Sequence, residues 1–473
     1  MEIKKNINTE VLKTNMIFAF ASQGISFGIS ILQALVVPKF LNVTDYGYWQ
    51  LFIFFVSYVG FFHFGLNDGL YLKLGGTPYE EMNHDRIGSQ LRVSILFQIL
   101  LGILIVVGAS FWTASADRFF VIASFAIYMV IANAGTFVGF LFQAANKTKI
   151  FSIADMIMKV FFICALVILL ILRVYSFRLL IFFYIIGLML STGYYCYWGR
   201  KLIFARFCGF KTAVRDILGN IGVGIKLLIA NLAGMLIIGI GRVIIDHIWG
   251  IDHFGQISFS LSLTNFFLMF MFQVSIVLFP ALRQIDAAAQ KRYYGEIDVI
   301  LSLLLPLILV FYIPIKTVLS LWLPQYAVSL DYLAVLLPLC LFDGKMQLLC
   351  TTYFKVLRKE KALLYVNLAA FFLSLLLSII GGFLLKSVDA IVFAMLIGVV
   401  SRYVISACYL SRYLPGQSWT VLGTELTFAA VFIAVSLKLP AIWSFLSVTV
   451  LYLCYLFCNR AQVKIVWRRL LQR

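Results

Sequence analysis

The sequence predicts an all-α polytopic membrane protein of about fourteen transmembrane helices: two six-helix lobes in a parallel repeat, then two C-terminal helices. Three observations carry this. Hydrophobic residues make up 63% of the 473 residues and charged ones 12%, with a mean hydropathy of +1.00. A soluble domain is about 25% charged, so this chain cannot cover its own surface with polar groups. The apolar residues also fall in continuous runs of about the 20 residues that a helix needs to cross hydrocarbon. They lack the polar alternation of an outer-membrane barrel. Finally, lysine and arginine fall in every second gap between the runs, as they do when a chain crosses a membrane repeatedly. These features exclude a nucleic-acid-binding domain and a secreted disulfide scaffold.

The first six spans are expected at 15–38, 48–66, 89–112, 119–142, 151–172 and 179–198. The next six are expected at 221–245, 257–279, 297–319, 332–354, 363–385 and 390–410. Two more fall at 421–437 and 441–458. The first run is too long for a signal-peptide core and has no clear small-residue cleavage site, so it reads as an uncleaved span. With the N-terminus inside, 25 of the 38 basic residues lie in inner segments, six in outer ones and seven within spans. That asymmetry places both termini in the cytoplasm. It also explains the net charge of +18 without invoking an acidic partner.

The inner segment 199–220 holds Arg200, Lys201, Arg206, Lys211 and Arg215 and divides the spans into two sets of six. Two matches cross it. Gly47, in Asp45-Tyr46-Gly47 after span 1, is answered by Gly255, in Asp252-His253-Phe254-Gly255 after span 7, at an offset of 208. The stretch from Phe142 to Lys149 after span 4 is answered by that from Phe354 to Lys361 after span 10, at an offset of 212. Six spans per half makes the repeat parallel. The expected domains are an N-lobe (1–198), a basic linker (199–220), a C-lobe (221–412) and an appended pair of spans with a basic tail (413–473).

Signatures of chemistry are missing from the sequence. It has no GxxxxGK[ST], no HExxH and no CxxC, and the four histidines lack metal-ligand spacing. No catalytic residue, metal or cofactor is expected. Gly24-Ile25-Ser26-Phe27-Gly28 matches a nucleophile-elbow pattern, but that motif needs a strand-to-helix turn. Within a membrane helix it reads as a small-residue face for close packing.

The informative residues are charges at membrane depth. Lys159, Asp343, Lys345 and Arg402 lie near span centres and sum to an excess of two positive charges. Each costs about 2.5–3.5 kcal/mol if it faces lipid. Asp155 and Lys159 are four apart and are expected to pair, whereas Asp343 and Lys345 cannot share a helix face. The excess implies a hydrated basic cavity, with Lys345 and Arg402 as its leading ligands and Lys159 as a further one. Arg242 and Asp246 are one turn apart in span 7 and read by default as an intrahelical pair. Lys39 ends span 1 on the outer side, and Lys226 lies early in span 7, within snorkelling reach of headgroups. Asp343 and Asp246 are the first candidates for an ion-coupling site.

The first span, Asp45-Tyr46-Gly47-Tyr48, and Phe64-Gly65-Leu66-Asn67-Asp68-Gly69-Leu70 resemble the N-terminal pattern of the polysaccharide-biosynthesis flippases. These belong to the multidrug/oligosaccharidyl-lipid/polysaccharide exporter superfamily. Gly241-Arg242-Val243-Ile244-Ile245-Asp246, with Gly255 downstream, is similar to the second-half counterpart. The resemblance covers spans 1 to 12 and is loose beyond them. It implies two six-helix bundles, alternating access and a cationic cavity that takes undecaprenyl pyrophosphate carrying an O-antigen or capsule oligosaccharide. It also implies a bacterial inner membrane, with a polysaccharide polymerase and a chain-length regulator as partners. A drug exporter of the same superfamily would favour acidic residues. A membrane polymerase or glycosyltransferase would carry a large outer loop, and the longest outer gap here is only about a dozen residues.

Overall fold

The computed structural model describes residues 9–113, 115–283, 285–414 and 419–460, and every regular element among them is helical. Helix α1 (Thr9–Ile31) runs on through a π-turn, Leu32–Val36, into a short helix, Val37–Phe40. Asn42 caps α2 (Val43–Ser57) by accepting the Asp45 amide at 2.7 Å, and Asp45 itself suits the positive end of the helix. Then follow α3 (Leu66–Leu74), α4 (His84–Trp112), α5 (Ala116–Ala144), α6 (Thr148–Ile171), α7 (Phe177–Trp198) and α8 (Phe210–Trp249). The second half holds α9 (Ile251–Arg283), α10 (Ala287–Leu304), α11 (Tyr312–Trp322), α12 (Ala327–Leu336), α13 (Leu339–Lys345), α14 (Glu360–Ile379) and α15 (Val388–Leu410). The chain ends in α16 (Trp419–Lys438) and α17 (Ala441–Cys458).

Among the described residues, eleven helices are long and apolar enough to cross a membrane. The number is thirteen when two bent pairs count as one span each. The expected eighth span lies within α9. The chain is therefore a polytopic all-α membrane protein, with a helix number close to the fourteen expected.

The chain divides into two compact units, Met1–Leu232 and Ala233–Arg473. The division falls inside α8, a helix of 40 residues. The segment 199–220, expected as a linker, is a linker only in its first half. Its second half is already the start of α8, which begins directly after left-handed Gly209 and contains no proline.

In the first unit α2 inserts its aromatic face among α5, α6 and α7. Trp49 is fully buried, stacked on Phe162 at 5.7 Å and edge-on to Tyr184 at 5.8 Å. Phe52 meets Tyr128 and Tyr184 edge-on. Such pairs add about 0.5–1.5 kcal/mol each beyond their area.

The second expected span is broken. Helices Val43–His63 and Leu66–Leu74 meet at 60°, through Phe64 and Gly65 in the left-handed region (φ 52° and 85°). A break at membrane depth must find new partners for the freed backbone. Asn133 Nδ2 donates to the Val59 carbonyl (3.3 Å) and to Gln98 Oε1 (2.9 Å), and Gln98 Nε2 donates to the Phe62 carbonyl (2.5 Å). His63 Nδ1 accepts the Gly65 amide at 3.1 Å, so this histidine is packed in the fold.

Glycine at 65, 69 and 224 lets α3 and α8 touch backbone to backbone. A Cβ on Gly69 would stand 1.9 Å from the Asn220 carbonyl oxygen, and one on Gly224 would stand 2.0 Å from that of Gly65. The motif Phe64-Gly65-Leu66-Asn67-Asp68-Gly69-Leu70 is thus a helix break followed by a close crossing. The Gly24/Gly28 pair does not do the same work. A Cβ on either would meet nothing within 4 Å, so the close-packing expectation there is corrected.

In the second unit Pro324–Leu336 and Leu339–Val356 are bent by 47° next to Pro338, whose ring interrupts the helix ladder. A π-turn, Met346–Thr351, follows Lys345 directly.

The repeat is visible in the turns. After α5, Asn146 is left-handed (φ 58°) and the Lys147 amide closes on the Phe142 carbonyl at 2.7 Å. At the offset of 212, Arg358 is left-handed (φ 54°) and the Lys359 amide closes on Phe354 at 2.8 Å. The next turns carry left-handed Arg173 and Lys386 (φ 55° and 49°).

Candidate functional site

The second unit gathers the charges that the sequence placed at depth. Helix α13, entered through the Pro338 bend, carries Asp343 and Lys345. Helix α10 supplies Asp298 and Ser302 one turn apart, α15 supplies Arg402 and Tyr403, and α16 supplies Glu425. Lys345 is 1% exposed. Its ammonium donates to Asp298 Oδ1 (3.0 Å), to Ser302 Oγ (2.6 Å) and to Glu425 Oε1. That uses all three of its protons. The Tyr403 ring lies 5.7 Å from the same ammonium, and the Tyr455 hydroxyl of α17 donates to the Ser302 carbonyl at 2.8 Å. Arg402 and Asp343 form a second buried pair at 3.4 Å. A Cβ on Gly234 would lie 3.3 Å from Asn367 Nδ2 and 3.4 Å from Arg402 Nη1, so the small residue makes room for the guanidinium.

In the first unit Asp155 and Lys159 pair on α6, as their spacing implies. Ser22 of α1 donates to Asp155, and Ser26 accepts from Lys159. Ser26, in the glycine–serine motif, therefore tethers α1 to α6. Both charged side chains keep about a quarter of their surface exposed, 28% and 25%.

The remaining candidates stand apart. Arg242 Nη2 donates to Ser258 Oγ at 2.7 Å and its guanidinium lies over the Phe254 ring. Asp246 follows it one turn later on α8. Lys226 is exposed on α8, and Lys39 is partly exposed in the short helix after α1. Lys316 of α11 pairs with Asp331 of α12 at 2.6 Å.

This geometry corrects the charge arithmetic. The uncompensated excess of two positive charges is not there. With Asp155, Asp298 and Glu425 counted beside Asp343, four carboxylates face the three cations Lys159, Lys345 and Arg402. Lys345 and Arg402 are held in ion pairs inside the second unit. Asp298 and Glu425 do not stand out in the sequence, because each falls within a few residues of an expected span edge, where a charge is unremarkable. The available signal was Glu425 itself, an acid inside the apolar run 421–437.

Comparison of the sequence with family models and with curated proteins finds no match. Comparison of the structure with solved ones does. The described "Lipid II flippase MurJ, inward closed conformation" aligns over 97% of this chain and 99% of its own, with TM-score 0.68 and 10% identity. The fold is that of MurJ and of MATE transporters. An inward-facing MATE-family transporter of the MOP superfamily aligns over 84% of this chain and 96% of its own, with TM-score 0.56 and 12% identity. An outward-facing one covers 85% and 96%, with TM-score 0.50 and 10% identity. The MurJ alignment is longer by about the length of the C-terminal pair. Helices α16 and α17 span 419–458, far more than the 3% of the chain that it leaves out.

Proposed function

We propose that the protein is a MOP-superfamily flippase, not an enzyme. It would carry undecaprenyl-pyrophosphate-linked oligosaccharide across a bacterial inner membrane for O-antigen or capsule biosynthesis. The observation that supports this most is the near-complete overlap with a lipid-carrier flippase, including α16 and α17. The MATE alignments are shorter, which favours a lipid-linked cargo over a small drug. The sequence motifs of α2, α3 and α8 point the same way. A flippase with no nucleotide-binding motif draws on gradients or on the substrate's own charge, and both termini on the cytoplasmic side fit the basic inner segments.

The pyrophosphate headgroup needs cations. Lys159, Lys226, Arg242 and Lys39 are proposed to meet it. Lys345 and Arg402 would have to exchange Asp298, Glu425 or Asp343 for the ligand as the lobes rearrange. Asp343 and Asp246 are proposed as ion-coupling acids on the same terms. A polysaccharide polymerase and a chain-length regulator would act on the exported product.

Depletion of the protein in its host tests the proposal. Lipid-linked oligosaccharide should accumulate with its sugar on the cytoplasmic leaflet while surface polysaccharide falls. Unchanged surface polysaccharide, with raised sensitivity to cationic dyes, would favour a drug exporter.

A further inference from the structure

The cluster around Lys345 has an odd charge. Asp298 and Glu425 contribute two negative charges, and Lys345 contributes one positive charge. All three side chains are buried, at 8%, 0% and 1% exposure. Ser302 is neutral. Glu425 Oε1 accepts from Lys345, but Oε2 is buried with no hydrogen-bond partner among the described residues. A carboxylate left ionised with one bare oxygen in an apolar interior neutralises instead by taking up a proton.

Among the described residues, the surrounding elements supply no second cation to prevent this. Helix α15 presents Tyr403, and α17 presents Tyr455 and Tyr452, whose side chains carry hydroxyls and no cation. On α10 the further titratable neighbour is Tyr294, and the π-turn adds Cys350. Arg402 is next to Tyr403 in sequence, but its charge is taken up by Asp343 at 3.4 Å. Helix α12, which also packs on α16, carries Tyr332 and the exposed Asp331, and Asp331 is paired with Lys316.

A metal ion is a poor occupant. Cations such as calcium or magnesium need about six oxygens, and no group of three or more acidic, histidine or cysteine side chains among the described residues could hold one. A proton needs a single bare oxygen, which Glu425 Oε2 provides.

We propose that the second unit holds one bound proton, shared by Asp298 and Glu425 around Lys345, and that this proton keeps α16 seated on α10 and α13. The site is then Lys⁺, one carboxylate and one carboxylic acid, with no net charge. The proton has a structural role whatever the chain transports. It ties the C-terminal pair, through Glu425, to the helices that carry Lys345 and Asp298. Losing the proton would leave two carboxylates facing one ammonium and would push α16 outward, toward water.

Infrared difference spectroscopy on the full-length protein in nanodiscs tests this. At neutral pH the wild type should show the carbonyl stretch of a buried, protonated carboxylic acid. Glu425→Gln and Asp298→Asn, each removing one of two acids, should each abolish that band. The acid that remains gives up its proton and pairs with Lys345. Exchanging sodium for potassium should leave the band in place. A wild type with no such band, or a band that survives both Glu425→Gln and Asp298→Asn, overturns the proposal. A band lost on adding sodium would mean that a metal cation, not a proton, is the occupant, and would overturn it equally. Thermal unfolding gives an independent measure. Wild-type stability should fall as pH rises from neutral into the alkaline range, and Glu425→Gln should flatten that dependence. Equal pH dependence in the two proteins would contradict the proposed lock.

Discussion

Lys345 shows how far a charge count depends on which charges enter it. Its place in a long apolar run made it legible as a charge at membrane depth, and the same holds for Lys159, Asp343 and Arg402. Its partners were not legible, because Asp298 and Glu425 come from runs distant in sequence and lie near expected span edges. Only the fold brings α10, α13 and α16 together. The consequence is a different expectation for mutation. Lys345→Ala leaves the buried acids Asp298 and Glu425 without their cation, and breaking a buried ion pair from one side costs about 3–5 kcal/mol. The variant should therefore lose folded protein, read as reduced abundance and a lowered unfolding temperature in detergent. Normal abundance at normal melting temperature would mean that Lys345 is not held as the structure has it. Glu425→Gln keeps the shape of the site and should be tolerated far better.

At the scale of elements, turns and bends separate what sequence can reveal from what it cannot. The match between Phe142–Lys149 and Phe354–Lys361 was legible because the same left-handed residue and the same closing hydrogen bond sit at the same offset, 146 with 358 and 147 with 359. The extension of α8 into the basic segment was not. Charge patterns mark the membrane edge, and a helix can continue past it. The break between α2 and α3 was also hidden, since its satisfying partners Gln98 and Asn133 lie on α4 and α5. Gly69 gives a sharp test of the α3–α8 crossing. Gly69→Ala would put a Cβ 1.9 Å from a backbone oxygen, so the helices must part. A loss of about 1–3 kcal/mol is expected, the usual range for overpacking. Gly24→Ala, where a Cβ meets open space, should cost little. Equal melting temperatures for the two variants would contradict the crossing.

At the scale of the whole molecule, hydropathy was enough to give the class, and charge asymmetry predicts the orientation. The likeness to MurJ and MATE structures at 10–12% identity shows how little sequence this fold requires. Cys208 is exposed in the basic segment after α7. In a variant that keeps only this cysteine, an impermeant maleimide should label it from the cytoplasmic side. Labelling from outside would invert the topology and with it the direction of export.

The proposed transport moves a lipid-linked pyrophosphate outward. Its headgroup carries about two negative charges, and moving one charge through 100 mV is worth about 2.3 kcal/mol. An inside-negative potential therefore favours export by roughly 4–5 kcal/mol per 100 mV when the headgroup charge moves uncompensated. The most direct measurement uses proteoliposomes loaded with undecaprenyl-pyrophosphate oligosaccharide. The potential is clamped by a potassium gradient with valinomycin, while sodium and pH are kept equal on both sides. Protein-dependent outward flipping that accelerates with inside-negative potential is the predicted result. No flipping, or a rate indifferent to potential and driven by a sodium or proton gradient, would contradict it.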